Sequence, residues 1–341
     1  MLRRYAWIPI SALLLAFVLW RTRPWEVAYL AARLDPLPIL AAVALNGVVL
    51  LLWAIRSRSL MAGVGHPLSV VALIPVVSFA NTIGNLTPAS AGEALRAVVL
   101  RKRHGVPLTR STAVILVERV WAMWVMAVSS GAAAVVALAR PEPLVASLVW
   151  LAALTGCFAP SISYAVGLRP GRLLERWLKR RAGPSAASLP EATQRPRRGA
   201  RLLTGLVEVD RTLAGLLTDP RRAVVFVATT AGVFTCYAAQ LMLLLGGLGQ
   251  PLPIDASWAA LGLATVAGVL SALPFGLGAA DAVLVVVLGQ LGVSPAIAGA
   301  AVLLVRATAT LPLGIAGAIS WALLGGRGGM RDPAPDDPSP G

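Results

Sequence analysis

Residues 81–119 read NTIGNLTPASAGEALRAVVLRKRHGVPLTRSTAVILVER, and the fold turns on this stretch. A polar Asn/Gly/Thr/Pro turn follows an apolar run. Gly92-Glu93 comes next, then Arg96 and a short apolar run closed by Arg101-Lys102-Arg103. A long apolar segment then opens with Glu118-Arg119 inside it. The same order recurs as SALPFGLGAADAVLVVVLGQLGVSPAIAGAAVLLVRA, residues 271–307. Pro88 falls on Pro274 at an offset of 186 residues, and Gly105-Val106 falls on Gly292-Val293 and Arg119 on Arg306 at 187. A near-constant register carrying a Pro, a Gly-Val and an Arg argues for an internal repeat. Its period is too long for a solenoid and suits the two halves of a transporter.

The 341 residues are 57% hydrophobic and 13% charged, whereas soluble domains carry about 25% charged residues. With a mean hydropathy of +0.76 and apolar runs near 20 residues along its length, the chain reads as an all-α polytopic membrane protein. The net charge of +15 sits in loops between apolar runs, the signature of cytoplasmic loops rather than of a nucleic-acid partner. Cys157 and Cys236 lie in apolar runs, and His66 and His104 stand alone in loops. No disulfide framework, metal site or cofactor is expected.

Five regions follow in order. Residues 1–37 hold a first span and a loop; no small-residue cleavage site follows Trp20, so an uncleaved span is expected over a signal peptide. The first repeat, 38–167, opens with a span at 38–55 closed by Arg56 and Arg58. Its segments 68–80 and 94–100 are too short for a bilayer that needs ~20 residues. Joined by the Asn81–Pro88 turn, they predict a re-entrant hairpin over 68–100. Spans at 112–139 and 144–166 complete this repeat. Residues 168–222 form a basic loop with two amphipathic helices, one around Leu173, Leu174, Trp177 and Leu178, the other around Leu202, Leu206, Leu213 and Leu217. The basic loop is expected to lie on the membrane surface rather than form a core. The second repeat, 223–325, carries a span at 223–245, a hairpin over 259–291 and a last span at 295–324. The tail, 326–341, is Gly/Pro/Asp-rich and reads as disordered.

Only a re-entrant first hairpin places every basic segment on one side of the membrane. The same count brings the second hairpin in from the opposite side. The expected architecture is therefore about six full transmembrane spans and two re-entrant helical hairpins in an inverted repeat, multi-pass in the cell membrane, with both termini cytoplasmic.

Charges inside apolar segments carry the functional reading. Glu118, Arg119, Asp281 and Arg306 fall within spans or legs, and Glu93 and Arg96 sit on the first hairpin. Each intramembrane ion costs ~2.5–3.5 kcal/mol on insertion scales and normally faces a partner or water. On one reading Arg119 and Arg306 bind an anionic lipid head group, with Glu93 and Asp281 orienting them or taking up protons or cations. On the other, Glu93/Arg119 and Asp281/Arg306 are plain ion pairs holding each hairpin to its neighbouring span. Trp121 and Trp124 read as packing. Pro88 and Pro274 mark the hairpin turns, and Gly84, Gly92, Gly276 and Gly278 read as permissive backbone at them. There is no Ser/His/Asp grouping, no HExxH and no Walker motif, so no catalytic residues are expected.

Two patterns, NxxPxxxGExxR at Asn85–Arg96 and PxGLGxxD at Pro274–Asp281 followed by Leu-Gly-Val-Ser-Pro, resemble the lysylphosphatidylglycerol synthase transmembrane-region family. This family of flippase-like membrane proteins includes the flippase half of the multiple peptide resistance factor. The resemblance runs from Pro38 to Leu324. Ala89-Ser90 stand where the family usually has Gly-Arg, Phe275 where it has a Gly, and Asp281 where it has a Glu. The resemblance implies movement of a phospholipid or lipid-linked sugar across the bilayer, and it adds Asn85 to the substrate-binding candidates. In the family's bifunctional members a separate soluble domain performs aminoacyl transfer. This chain ends at Gly341 without one, so a transporter rather than an enzyme is expected. The alternatives are a membrane-embedded enzyme or accessory subunit of aminoacyl-lipid or glycolipid synthesis, and a non-transporting scaffold.

Overall fold

Proline and aspartate set where the first described helix begins. Asp35 accepts a hydrogen bond from the Leu37 amide at 3.0 Å, and Pro36 takes the first helical position, where its missing N–H costs nothing. The computed structural model describes residues 35–86, 92–167, 209–271, 273 and 276–324. They form α1 (Pro36–Gly63), α2 (Val70–Leu86), α3 (Gly92–His104), α4 (Leu108–Ala139), α5 (Pro143–Cys157) and α6 (Ala159–Ala165) in the first half. The second half holds α7 (Pro220–Gly247), α8 (Ile254–Leu270), α9 (Ala279–Gln290), α10 (Pro295–Val305), a π-helical turn (Arg306–Thr310) and α11 (Leu311–Leu323). Among the described residues there is no strand.

Element lengths repeat between the halves. α1 and α7 have 28 residues each, α2 and α8 have 17 each, and α3 and α9 have 13 and 12. Four helical stretches are long and apolar enough to cross a membrane: α1, α4, α7 and the α10–α11 run; α5 and α6, bent by 47° at their break, make a fifth if taken as one span. The expected first span, the Leu173–Leu178 helix, the Pro/Ser-rich stretch, the tail, Pro88 and Pro274 lie outside the described residues.

Packing crosses between the halves in a matched way. α1 runs against α7, α2 packs on α11, and α8 packs on α4. Small residues let the last two pairs approach. A Cβ on Gly317 would lie 2.0 Å from Thr82 Oγ1, and one on Gly262 would lie 1.8 Å from Ser130 Oγ. In lipid, where apolar surface gives little drive to associate, such close backbone approach is what holds helices together. Gly262→Val is therefore expected to cost about 1–3 kcal/mol by overpacking. Gly246→Ala on α7, where a Cβ meets nothing within 4 Å, should be neutral or slightly stabilising. Unfolding of both variants in detergent checks this; equal stability of Gly262→Val and wild type would refute the packing argument.

Basic residues gather at one end of the bundle. Arg110 Nη1 donates to the Val64 carbonyl at 3.1 Å, Arg103 Nη2 donates to the Leu324 carbonyl, and the Arg222 guanidinium lies beside Gly63. These contacts bring the C-termini of α1, α3 and α11 together with the N-termini of α4 and α7. α2 also starts at this end, so the first hairpin enters and leaves there. At the other end the Ser294 amide donates to Gln250 Oε1 at 2.9 Å, tying together the chain entering and leaving the second hairpin.

Three sequence expectations need correction. The first hairpin leg does not stop at Ala80: α2 continues through Asn81–Asn85, because those polar residues border a cavity rather than lipid. Likewise α1 runs past Arg56 and Arg58 to Gly63, so neither arginine closes it. The span expected at 144–166 is broken at Phe158. Pro160 cannot donate to the Gly156 carbonyl, and Trp124 Nε1 does so instead at 2.8 Å, while Trp121 Nε1 donates to the Cys157 carbonyl at 2.9 Å. The end of the basic loop packs into the core, where a membrane-surface element was expected. Residues 209–217 are helical, and Ala214, Leu216 and Leu217 are buried in the larger core cluster.

Candidate functional site

Side chains from both halves enclose a cavity of about 400 Å³. Arg119 and Arg306 both line it, and each is reached the same way. The separations Leu108–Arg119 in α4 and Pro295–Arg306 in the last span are equal, about 16 Å at 1.5 Å per residue. That length is about half of a ~30 Å hydrocarbon layer.

Glu93 lies in the first turn of α3, where the helix dipole favours a carboxylate. Its Oε1 accepts from Arg119 Nε at 2.8 Å and from Nη2 at 2.5 Å. Gly84 makes room for this clasp: a Cβ there would lie 3.1 Å from Arg119 Nη2. Gly84 is thus inside α2, not in a turn, and its role is steric. Asn85 follows it on the cavity wall.

The second half repeats the clasp with a different support. Asp281, in the first turn of α9, accepts the Gly278 amide at Oδ2 (3.0 Å) and Arg306 at Oδ1, from Nε at 3.0 Å and Nη2 at 2.8 Å. The chain reaches this cap through Gly276 at φ 61° and Gly278 at φ 82°, in the left-handed region glycine favours. Gly276 also abuts Gly268, 2.8 Å from where a Cβ would sit.

A π-turn positions Arg306. Pro312 has no N–H for the Thr308 carbonyl, and Asn46 Nδ2 on α1 donates to that oxygen at 2.7 Å. Gln240 on α7 holds Asn46 in turn, with Nε2 donating to Asn46 Oδ1 at 3.2 Å and to the Ala42 carbonyl at 2.7 Å. A buried carbonyl freed by proline is thus paired by a neighbouring helix, the condition for irregular backbone at membrane depth.

The first half carries a further network. Arg96 donates to Glu118 Oε2 and, from Nη2, to Ser57 Oγ at 2.8 Å, while Ser57 donates to Glu118 Oε1 at 2.6 Å. Arg96 and Glu118 are each only 4% exposed. Arg96 Nη1 also stands 3.9 Å from Glu93 Oε2, which links this network to the Arg119 clasp. Aligning Glu93 on Asp281 (offset 188) sets Arg96 on Leu284, and aligning Arg119 on Arg306 (offset 187) sets Glu118 on Val305. The cavity is charged on its first-half wall and more apolar on the other.

Arg56 also borders the cavity. Its Nη1 donates to Thr230 Oγ1 at 3.3 Å, and its guanidinium carbon lies 5.4 Å from the Phe226 ring centroid. Phe226 stacks on Trp121 with centroids 4.3 Å apart, so Trp121 is a packing residue one step behind the cavity. Sequence reading missed Arg56, Ser57, Asn46 and Gln240 as site residues. A signal existed: Asn46, Val49, Trp53 and Arg56 follow 3-4-3 spacing and share one helical face.

The profile of the lysylphosphatidylglycerol synthase TM region matches residues 6–317 of this chain. A UPF0104 membrane protein of Methanothermobacter thermautotrophicus is 24% identical over 309 residues, covering 88% of this chain and 89% of its own length.

Proposed function

The chain belongs to the lysylphosphatidylglycerol synthase TM-region family, and from that membership and its charged cavity we propose that it moves an anionic lipid across the cytoplasmic membrane. A phospholipid and a polyprenyl-phosphate-linked sugar are the two substrate types. The observation that carries this reading is that two arginines, one per half and each clasped by a carboxylate, border a single cavity built from both halves. Arg119 and Arg306 contact the head group on this reading, Glu93 and Asp281 orient them and serve as sites for proton or cation coupling, and Arg96, Glu118 and Asn85 complete the wall.

We read the halves as inverted repeats working by alternating access. Matched element lengths, crossed packing and hairpins that open at opposite ends support this reading. The basic end faces the cytoplasm by the positive-inside rule, which puts the C-terminal end of α11 on that side and, with one span over 5–20, the N-terminus as well. The protein acts without chemistry on the lipid.

Purified protein in proteoliposomes tests this. With a fluorescent phosphatidylglycerol, the inner-leaflet label should become accessible to an external quencher at a rate proportional to protein. Folded protein that leaves the label trapped would overturn the transport reading. A chemically altered head group would favour the enzyme alternative.

A further inference from the structure

Among the described residues, the cavity's charges do not cancel. Three of its arginines have carboxylate partners: Arg119 with Glu93, Arg96 with Glu118, and Arg306 with Asp281. Arg56 is the fourth arginine on the wall, and no carboxylate is within ion-pairing distance of it among the described residues. Its direct contacts are a hydroxyl and a ring face, both neutral, and Glu118, already bonded to Arg96 and Ser57, acts on it only from beyond ion-pairing distance. Its Nε is buried and has no hydrogen-bond partner. A buried guanidinium in that state leaves donors unsatisfied, which is costly unless something else supplies the acceptor.

We infer that Arg56 anchors the phosphate of a singly charged phosphodiester head group, which supplies the one negative charge the cavity lacks. This rests on the lipid-transport reading and narrows it. Four arginines against three carboxylates leave one positive charge. A phosphodiester brings one negative charge and makes the loaded cavity neutral. A phosphate monoester carries about −1.5 to −2 at pH 7, and a diphosphate more, so either would leave net negative charge at membrane depth, where uncompensated charge is expensive. The charge balance therefore selects a phosphodiester, a phospholipid or a sugar linked to a polyprenol through one phosphate, over a free polyprenyl phosphate or a diphosphate-linked sugar. The Phe226 ring, stacked on Trp121, lies 5.4 Å from the guanidinium carbon and supports the cation from one side.

The test uses the full-length protein in detergent, with binding measured calorimetrically. The probes are dihexanoylphosphatidylglycerol, dihexanoylphosphatidic acid and inorganic phosphate. Wild type should bind the phosphatidylglycerol at least tenfold tighter than either other probe. Arg56→Gln should weaken that binding at least tenfold with little change in the unfolding temperature, because only one hydrogen bond to a neutral group and a ring contact are lost. Arg56→Lys, which keeps the charge without the fork, should fall between. Phosphatidic acid binding as tightly as phosphatidylglycerol overturns the charge argument, and equal binding of inorganic phosphate overturns the lipid assignment. Unchanged binding by folded Arg56→Gln overturns the residue assignment. If that variant does not fold, the wild-type probe ranking and Arg56→Lys decide. Proteoliposomes separate the two readings. Wild type that moves lipid with an Arg56→Gln variant that binds and moves it equally well sinks only the Arg56 inference. Arg56-dependent binding without any lipid movement by wild type sinks only the transport reading.

Discussion

Arg119→Lys and Arg306→Lys are each expected to leave the protein folded and to slow lipid movement roughly ten- to a hundredfold. Each arginine uses Nε and Nη2 on one carboxylate oxygen. A lysine keeps the charge but has one nitrogen, so it cannot hold the carboxylate in this way and present a second donor edge. The loss of one charge-assisted hydrogen bond is ~1.5–3 kcal/mol, and 1.4 kcal/mol is about a factor of ten. Gln substitutions go further and separate the halves. The Asp281 side chain is 5% exposed and that of Glu93 is 15%. Arg306→Gln therefore strands the more buried carboxylate and should lose more stability than Arg119→Gln. Initial translocation rates per folded protein, alongside unfolding in detergent, measure both effects. If all four variants only lose stability and the surviving protein transports normally, the clasps are structural struts.

Glu118→Leu should be the most destabilising single change at the site, by about 3–5 kcal/mol. It removes the carboxylate that accepts from both Arg96 and Ser57, and leaves Arg96, 4% exposed, without its close partner. The Arg96→Met/Glu118→Leu double variant removes both charges at similar volume and should recover most of that loss, because desolvation and attraction vanish together. Chemical unfolding of the two single variants and the double gives the coupling directly. A Glu118→Leu protein as stable as wild type would show that water or another group reaches Arg96. The same double variant also probes function: it leaves the clasps and Arg56 in place, so its transport reports whether the network itself is needed.

What was legible in the sequence was local or periodic. Apolar run length placed α4, α7 and the α10–α11 run to within a few residues, since a bilayer imposes a minimum span whatever the tertiary contacts, but it ended α1 eight residues early and missed the break at Phe158. The repeat register paired Glu93 with Arg119 and Asp281 with Arg306, because an arginine at that depth needs a partner and each half offers one on the neighbouring hairpin. Polar residues were misread where their partner came from far along the chain. Asn81–Asn85 looked like a turn but is helix beside a cavity, and Gly84 looked like permissive turn backbone but clears space for Arg119.

The sequence by itself determined the helical class, the membrane environment, the two-half organisation and the motif charges, because each follows from composition, run length or spacing along one chain. Only the tertiary structure decided which charge is left without a partner. Arg56 reads as the end of a span next to Arg58, and nothing local shows that α1 continues past it or that, among the described residues, no carboxylate comes within ion-pairing distance. The pairing of Arg96 with Glu118 through Ser57, the use of Asn46 to complete a carbonyl freed by Pro312, and the crossed packing of α2 on α11 and of α8 on α4 join residues up to 262 positions apart. Charge balance and hydrogen-bond completion are sums over neighbours in space, and those neighbours exist only once the helices have packed.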